Sequence, residues 1–227
     1  MMKKIAINFL AVLFISALSF TKAFAVDLTF GVSGAIVDLQ AEGSETETGA
    51  VSAETTTESV SNLFATGSVF AEAKFNKLAF GIDYIPMDAD VSDATHTRTD
   101  TETSVTGDQD ETTTSRTQTA AAEVSDHVTI YANYYVSDAF YLHLGYASVD
   151  VITNESLDTG SKYGNASING IQYGLGFQMT DNLRLEAAYT DYDDVSITSS
   201  VARTGVDTNN KISADLDTTQ LKLSYHF

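Results

Sequence analysis

Six charged residues lie within segments that otherwise alternate between large apolar and small or polar side chains: Glu72, Lys74, Asp83, Arg184, Glu186 and Lys222. In each segment the charge falls on the polar phase of the alternation. A period of two sends successive side chains to opposite faces of a strand, so the six share one kind of face. Three are acidic and three basic. Ions held together away from water need partners, because an unpaired one costs several kcal/mol. The chemistry this constellation suits is mutual neutralisation across a closed lumen, a salt-bridge network rather than a reaction. The alternative is that each charge meets lumen water separately.

Catalytic arrangements are harder to build. The chain has four histidines, His96, His127, His143 and His226, and no cysteine. Without cysteine there is no disulfide framework and no thiolate metal site. His143 falls on the polar phase of its segment, low to middle along it. A barrel hydrolase or acyltransferase would need nucleophile, base and orienting acid within hydrogen-bond reach, usually at an outer rim. The height of His143 suits a lumen-filling side chain better. With no Gly-rich phosphate loop and no His/Cys cluster, no catalytic, cofactor or metal residue is expected, and no enzyme. Acids concentrate in the stretch 91–123, as Asp93, Asp100, Glu102, Asp108, Asp110, Glu111 and Glu123 against Arg98 and Arg116. Carboxylates suit hard divalent cations. The spacing matches no EF-hand or nonapeptide loop, however, and a solvated, self-repelling coat is the plainer reading.

The elements that must carry these residues read as strands. Apolar residues recur at every second position, with almost no helical period. The runs are Leu28–Ile36, Leu63–Phe75, Leu78–Tyr84, Val128–Val136, Phe140–Tyr146, Ile171–Met179, Leu183–Tyr189 and Thr219–Phe227. Pro86 fits the end of the third, where a missing ladder donor does least harm. Short breaks at 76–77, 137–139 and 180–182 alternate with long ones at about 39–62, 91–123, 153–167 and 193–213, rich in Thr, Ser, Asp, Glu and Gly. Thr95–Thr119 reads as part of the largest loop. The spacing predicts an all-β fold: an eight-stranded antiparallel up-and-down transmembrane β-barrel with short periplasmic turns and four long extracellular loops. Each strand allows the roughly 9–11 residues that a tilted crossing needs.

The apolar phase should face lipid. A soluble eight-stranded barrel has its apolar side inside. Here the polar phase carries Gly31, Ser33, Gly81, Gly145, Gly174, Gly176 and Ser224, small residues that suit the crowded interior of eight strands. Phe75, Phe140, Met179 and Phe227 then form a lower belt, and Tyr84, Tyr146 and Tyr189 an upper one.

The beginning of the chain has the layout of a secretory signal. Lys3 and Lys4 precede an apolar run from Ile5 to Phe20, and Ala23 and Ala25 bracket an A-x-A cleavage site. Domains are expected as 1–25, a cleaved signal peptide, and 26–227, a single barrel starting at Val26. A membrane anchor is the alternative, but the run is short for the ~20 residues a spanning helix needs. The 227 residues hold 12 Lys and Arg against 31 Asp and Glu, a net charge of −19. Nucleic-acid binding through phosphate neutralisation needs clustered cations and is excluded.

The residues Leu221, Leu223, Tyr225 and Phe227, alternating and ending in Phe, resemble the C-terminal signature of outer-membrane barrels. The stretch Tyr173–Glu186 resembles the penultimate hairpin of OmpA-like and OmpX-like small barrels. The resemblance implies a Gram-negative cell outer membrane, lipid partners that include lipopolysaccharide, and an insertion machinery that reads those four C-terminal residues. It implies no peptidoglycan-binding domain. The expected role is non-enzymatic, structural or surface-interacting, with a lumen closed by the charge network; an extracellular partner or divalent cations would meet the acidic loops. A narrow porin-like channel for small solutes is the second reading, and a barrel enzyme modifying lipid or peptide the third.

Overall fold

β-branched and aromatic residues in alternation favour extended backbone, and the described residues are mostly strand. A computed structural model describes residues 26–48, 53–91, 96–105, 111–156, 162–200 and 210–227. The proposed signal segment, with Ala23 and Ala25, lies outside the described residues. Strand β1 is Asp27–Thr48 and β2 Ala53–Phe75. Strand β3 is Leu78–Ile85, continued after a break by Ala89–Asp90 and His96–Val105. Then come β4 (Glu111–Tyr135), β5 (Phe140–Ser156) and β6 (Ala166–Gln178). Strand β7 is Leu183–Tyr192, continued by Val195–Thr198, and β8 is Lys211–His226.

Each strand pairs antiparallel with its neighbour in sequence, and β8 returns to β1 from Gly31↔His226 to Thr46↔Lys211. The result is a closed eight-stranded ring. Closure satisfies the backbone groups that an open edge would leave bare in lipid. Three tight turns join the strands at one end. Asn76 takes a left-handed conformation (φ 57°) in the first, one that asparagine tolerates better than most residues. Tyr135 N–H then donates to the Lys77 carbonyl at 2.8 Å, and Met179 N–H to the Leu183 carbonyl at 2.8 Å.

At the other end two of the connections, as far as they are described, are mostly paired strand, not loop. The hairpin β1–β2 stays in register up to Thr48↔Ala53, and His96–Val105 pairs with Glu111–Ala120. The stretches 39–62 and 95–119 are therefore extended ladders over most of their length. Their threonines explain this: β-branched polar residues suit a solvated ladder, and Thr–Thr pairs bond across it. Thr46 and Thr55 hydroxyls lie 3.2 Å apart.

Large apolar side chains point outward as a band. Val32, Leu144, Tyr173, Leu175, Phe177 and Leu221 are each about half exposed. On the inner face, Gly81 stands beside Tyr131 of the neighbouring strand and Gly176 beside Tyr141; a Cβ at either glycine would collide with that ring. Two features break the regularity. Pairing between β2 and β3 ends at Val69↔Tyr84, above which β3's continuations pair with β4. Within β4, the register shifts between Ser125 and Val128, where Asp126 has φ 51°. That one-residue bulge exchanges the inward and outward phases of β4 above it.

Candidate functional site

The lumen is layered, and each layer follows from which residues occupy the inward phase at that height. Nearest the tight turns, the rings of Tyr135 and Tyr141 lie 5.2 Å apart, both buried, with Ala79 fully enclosed beside them. Lys74 places its ammonium 3.8 Å from the centre of the Tyr135 ring. It thus sits over an aromatic face instead of joining an ion pair among the described residues.

Above this lie five of the six charges. Arg184 on β7 meets Glu72 on β2 in a two-pronged contact, Nη1 to Oε2 at 3.0 Å and Nη2 to Oε1 at 2.9 Å. Such fork-to-fork pairs fix geometry as well as charge. Lys222 on β8 bridges two carboxylates, Glu186 Oε1 at 2.8 Å and Asp83 Oδ2 at 3.3 Å. Neutral groups fuse the two clusters. Asn133 donates to Glu72 Oε2 at 3.0 Å, and its amide oxygen sits 2.8 Å from His143 Nδ1. His143 Nδ1 is also 3.4 Å from Glu186 Oε2, which accepts from the Tyr141 hydroxyl at 3.0 Å. From His143 Nε2 the chain runs to Gln172 Oε1 at 2.8 Å and on from Gln172 Nε2 to Thr190 at 2.9 Å. All five charged side chains, Asn133, His143, Gln172 and Thr190 are buried. Both ring nitrogens of His143 therefore have amide partners, with no hydroxyl nucleophile in that pair.

The third layer is apolar, and the sequence reading missed it. Leu39, Val149, Val151, Ile168, Tyr192 and Leu216 form a buried cluster inside the barrel. Val37 and Ile85 were on the inward phase in the sequence, but as isolated apolar residues among glycines and serines they carried no pattern. Val149, Val151 and Leu216 lie beyond the membrane-length runs, between them and the long breaks, where no face was assigned.

The other residues singled out by type fall elsewhere. Leu221, Leu223, Tyr225 and Phe227 all face outward, and the Phe227 N–H bonds the Phe30 carbonyl at 2.9 Å, so they lie along the β8–β1 closure. His226 faces the lumen, with Nε2 2.6 Å from the Asp181 carbonyl. Asp93, Asp108 and Asp110 lie outside the described residues, as do the side chains of Asp100, Glu102 and Glu111. Among the described residues no group of three or more His, Asp or Glu could hold a metal ion.

No protein-family model and no curated protein matches the chain by sequence. Solved structures match its shape. The outer membrane protein OprG from Pseudomonas aeruginosa aligns over 88% of this chain and 95% of its own, at 10% identity and a TM-score of 0.54. Ail, the attachment invasion locus protein of Yersinia pestis, solved with the heparin analogue sucrose octasulfate, aligns over 87% of this chain and 99% of its own, at 14% identity and a TM-score of 0.39. The outer membrane protease OmpT from Escherichia coli aligns over 88% and 96%, at 10% identity and a TM-score of 0.45. The OprG match places this chain in the fold of the small outer-membrane β-barrels.

Proposed function

We propose that the chain is a non-enzymatic protein of the Gram-negative outer membrane, a closed barrel with a structural or surface-interacting role. The observation that carries this reading is the crossing of the lumen by Glu72–Arg184 and Asp83–Lys222–Glu186. Paired ions joined by Asn133 and His143 leave a solute no path that does not break a buried charge pair, at a cost of several kcal/mol. The half-exposed apolar band supports a position in lipid. In the same reading residues 1–25 are an export signal cleaved after Ala25, and Leu221, Leu223, Tyr225 and Phe227 are read by the insertion machinery. The strands extending beyond the band then carry the acidic surface toward the exterior, where lipopolysaccharide, divalent cations or an extracellular partner would meet it.

Planar-bilayer recording of the refolded protein tests the closed lumen. Most insertions should show no steady conductance. A stable open channel in most insertions would establish a porin-like solute path instead.

A further inference from the structure

Between the charge layer and the outer end of the barrel lies a narrow recess of about 50 Å³, part of it open to solvent. That is room for a few water molecules, each of which needs roughly 10–15 Å³, or for a slender alkyl chain, and not for a bulky ligand. Its walls are Val37, Leu39, Phe64 and Leu216; its lower end carries His127, Thr66, Gln220 and Thr218. No carboxylate, lysine or arginine lines it among the described residues. Below it, a smaller cavity that shares His127, Thr66 and Gln220 reaches Asp83 and Lys222, and Lys222 is already engaged by Asp83 and Glu186, so the floor is neutralised. From Gln220 to Leu216 along β8 it runs about 13 Å, at roughly 3.3 Å per strand residue.

The position of His127 is the second observation. It stands in the β4 bulge, directly after Asp126 with its left-handed backbone. A non-glycine residue in that conformation is uncommon, and bulges recur where a side chain must be re-aimed. Asp126 is tied by the Tyr84 hydroxyl at 3.2 Å. The imidazole that follows lines the recess and stands edge-on to the Tyr192 ring, 6.3 Å between centroids. Its Nδ1 is buried and has no hydrogen-bond partner. A buried polar atom left unsatisfied carries a desolvation penalty, and here that atom lies at the polar end of an apolar recess.

We propose that this recess binds an uncharged, mostly apolar small molecule bearing one hydroxyl, with the hydroxyl on His127 Nδ1 and the apolar body against Val37, Leu39, Phe64 and Leu216. A hydroxyl both donates and accepts, so it satisfies Nδ1 in either imidazole tautomer. A carboxylate or ammonium head would lose its hydration with no counter-ion in the lining. The site lies above the charge layer, and its occupancy is read independently of conductance.

The test uses the full barrel in lipid nanodiscs with 13C-labelled methyl groups and imidazoles, titrated with 1-octanol, octane and octanoate. Octanol should cause saturable shifts at Leu39, Leu216 and His127, while octane and octanoate bind about tenfold or more weakly. His127→Phe should weaken octanol about tenfold and leave octane unchanged. Leu39→Trp, which fills the recess, should abolish both; heat-modifiable migration on gels checks that each variant folds. Octanol shifts confined to outward residues such as Leu63 and Val69, or equal octanol affinity with and without His127, would overturn the proposal.

Discussion

Arg184 and Glu72 meet across the lumen in a paired contact of 2.9 and 3.0 Å although 112 residues separate them in the chain. One sits on the next-to-last strand and the other on the second, so the pair forms only when the ring has closed. Glu72 also accepts from Asn133 on β4, one strand beyond its neighbour β3. The contact therefore reports closure of the barrel as well as neutralising two buried ions.

Removing one partner should leave the other stranded. Glu72→Gln or Arg184→Met is expected to destabilise the barrel by about 3–5 kcal/mol, the usual cost of breaking a buried ion pair from one side. Replacing both by apolar residues, Glu72→Leu with Arg184→Met, should recover most of that loss. Urea titration in detergent, followed by the gel shift of the folded form, measures it. A double variant as weak as the singles would assign the stability to Asn133 and the shared network instead.

Lys74 should behave differently. Its ammonium lies 3.8 Å from the Tyr135 ring centre and belongs to no carboxylate pair among the described residues. Lys74→Met keeps the stem and removes the charge. It should cost about 0.5–2 kcal/mol, the range for an ammonium on an aromatic face, and Tyr135→Leu should cost no more in that background than the loss of ring packing. A Lys74→Met cost equal to that of Arg184→Met in the same titration would place Lys74 within the ion network.

The phase of each charge was legible in the sequence, because alternation assigns a face; the partner of each was not. Lys74 and Glu72 are two residues apart on one face, yet the Lys74 ammonium lies over the Tyr135 ring. Alternation is silent about height and reach. The acidic and Thr-rich stretches read as loops because they are polar, but in a solvated ladder polar threonines pair across strands, as Thr46 and Thr55 do. The recess was hidden for another reason. The β4 bulge turns Val124 inward while Val128 remains outward, and nothing in Val124-Ser125-Asp126-His127-Val128 marks the residue at which the phase changes.

Gly81 faces Tyr131 directly in the β3–β4 register, and the tyrosine ring occupies the space a side chain at Gly81 would need. Gly81→Val should therefore destabilise by about 1–3 kcal/mol, as overpacking of a filled interior does. Tyr131→Ala in the same chain removes the obstacle, so the double variant should be more stable than Gly81→Val alone. The comparison is made by the temperature at which the folded gel form is lost. A double variant weaker than Gly81→Val would show that backbone freedom at position 81, not space, requires the glycine.

Beyond the apolar band, carboxylates crowd the outward face of β7 and β8. Asp217 stands directly opposite Asp191, and Asp215 opposite Glu42 of β1. Loss of hydration, then the charges of Asp217, Asp194 and Asp191, raise the pKa of Asp215 above its ordinary 3.8. A carboxyl raised in the folded state holds its proton more tightly there than in the unfolded chain. Its stabilising contribution is thus present below about 3.8 and is lost as pH rises through the folded value. At neutral pH the cluster opposes folding. Asp217→Asn should lower the Asp215 pKa toward its ordinary value and raise stability at pH 7 relative to pH 3.5. Carboxyl 13C titration of the folded barrel reads the first effect, and urea titration at the two pH values the second. An Asp215 titration that does not move in Asp217→Asn would show that hydration alone sets it.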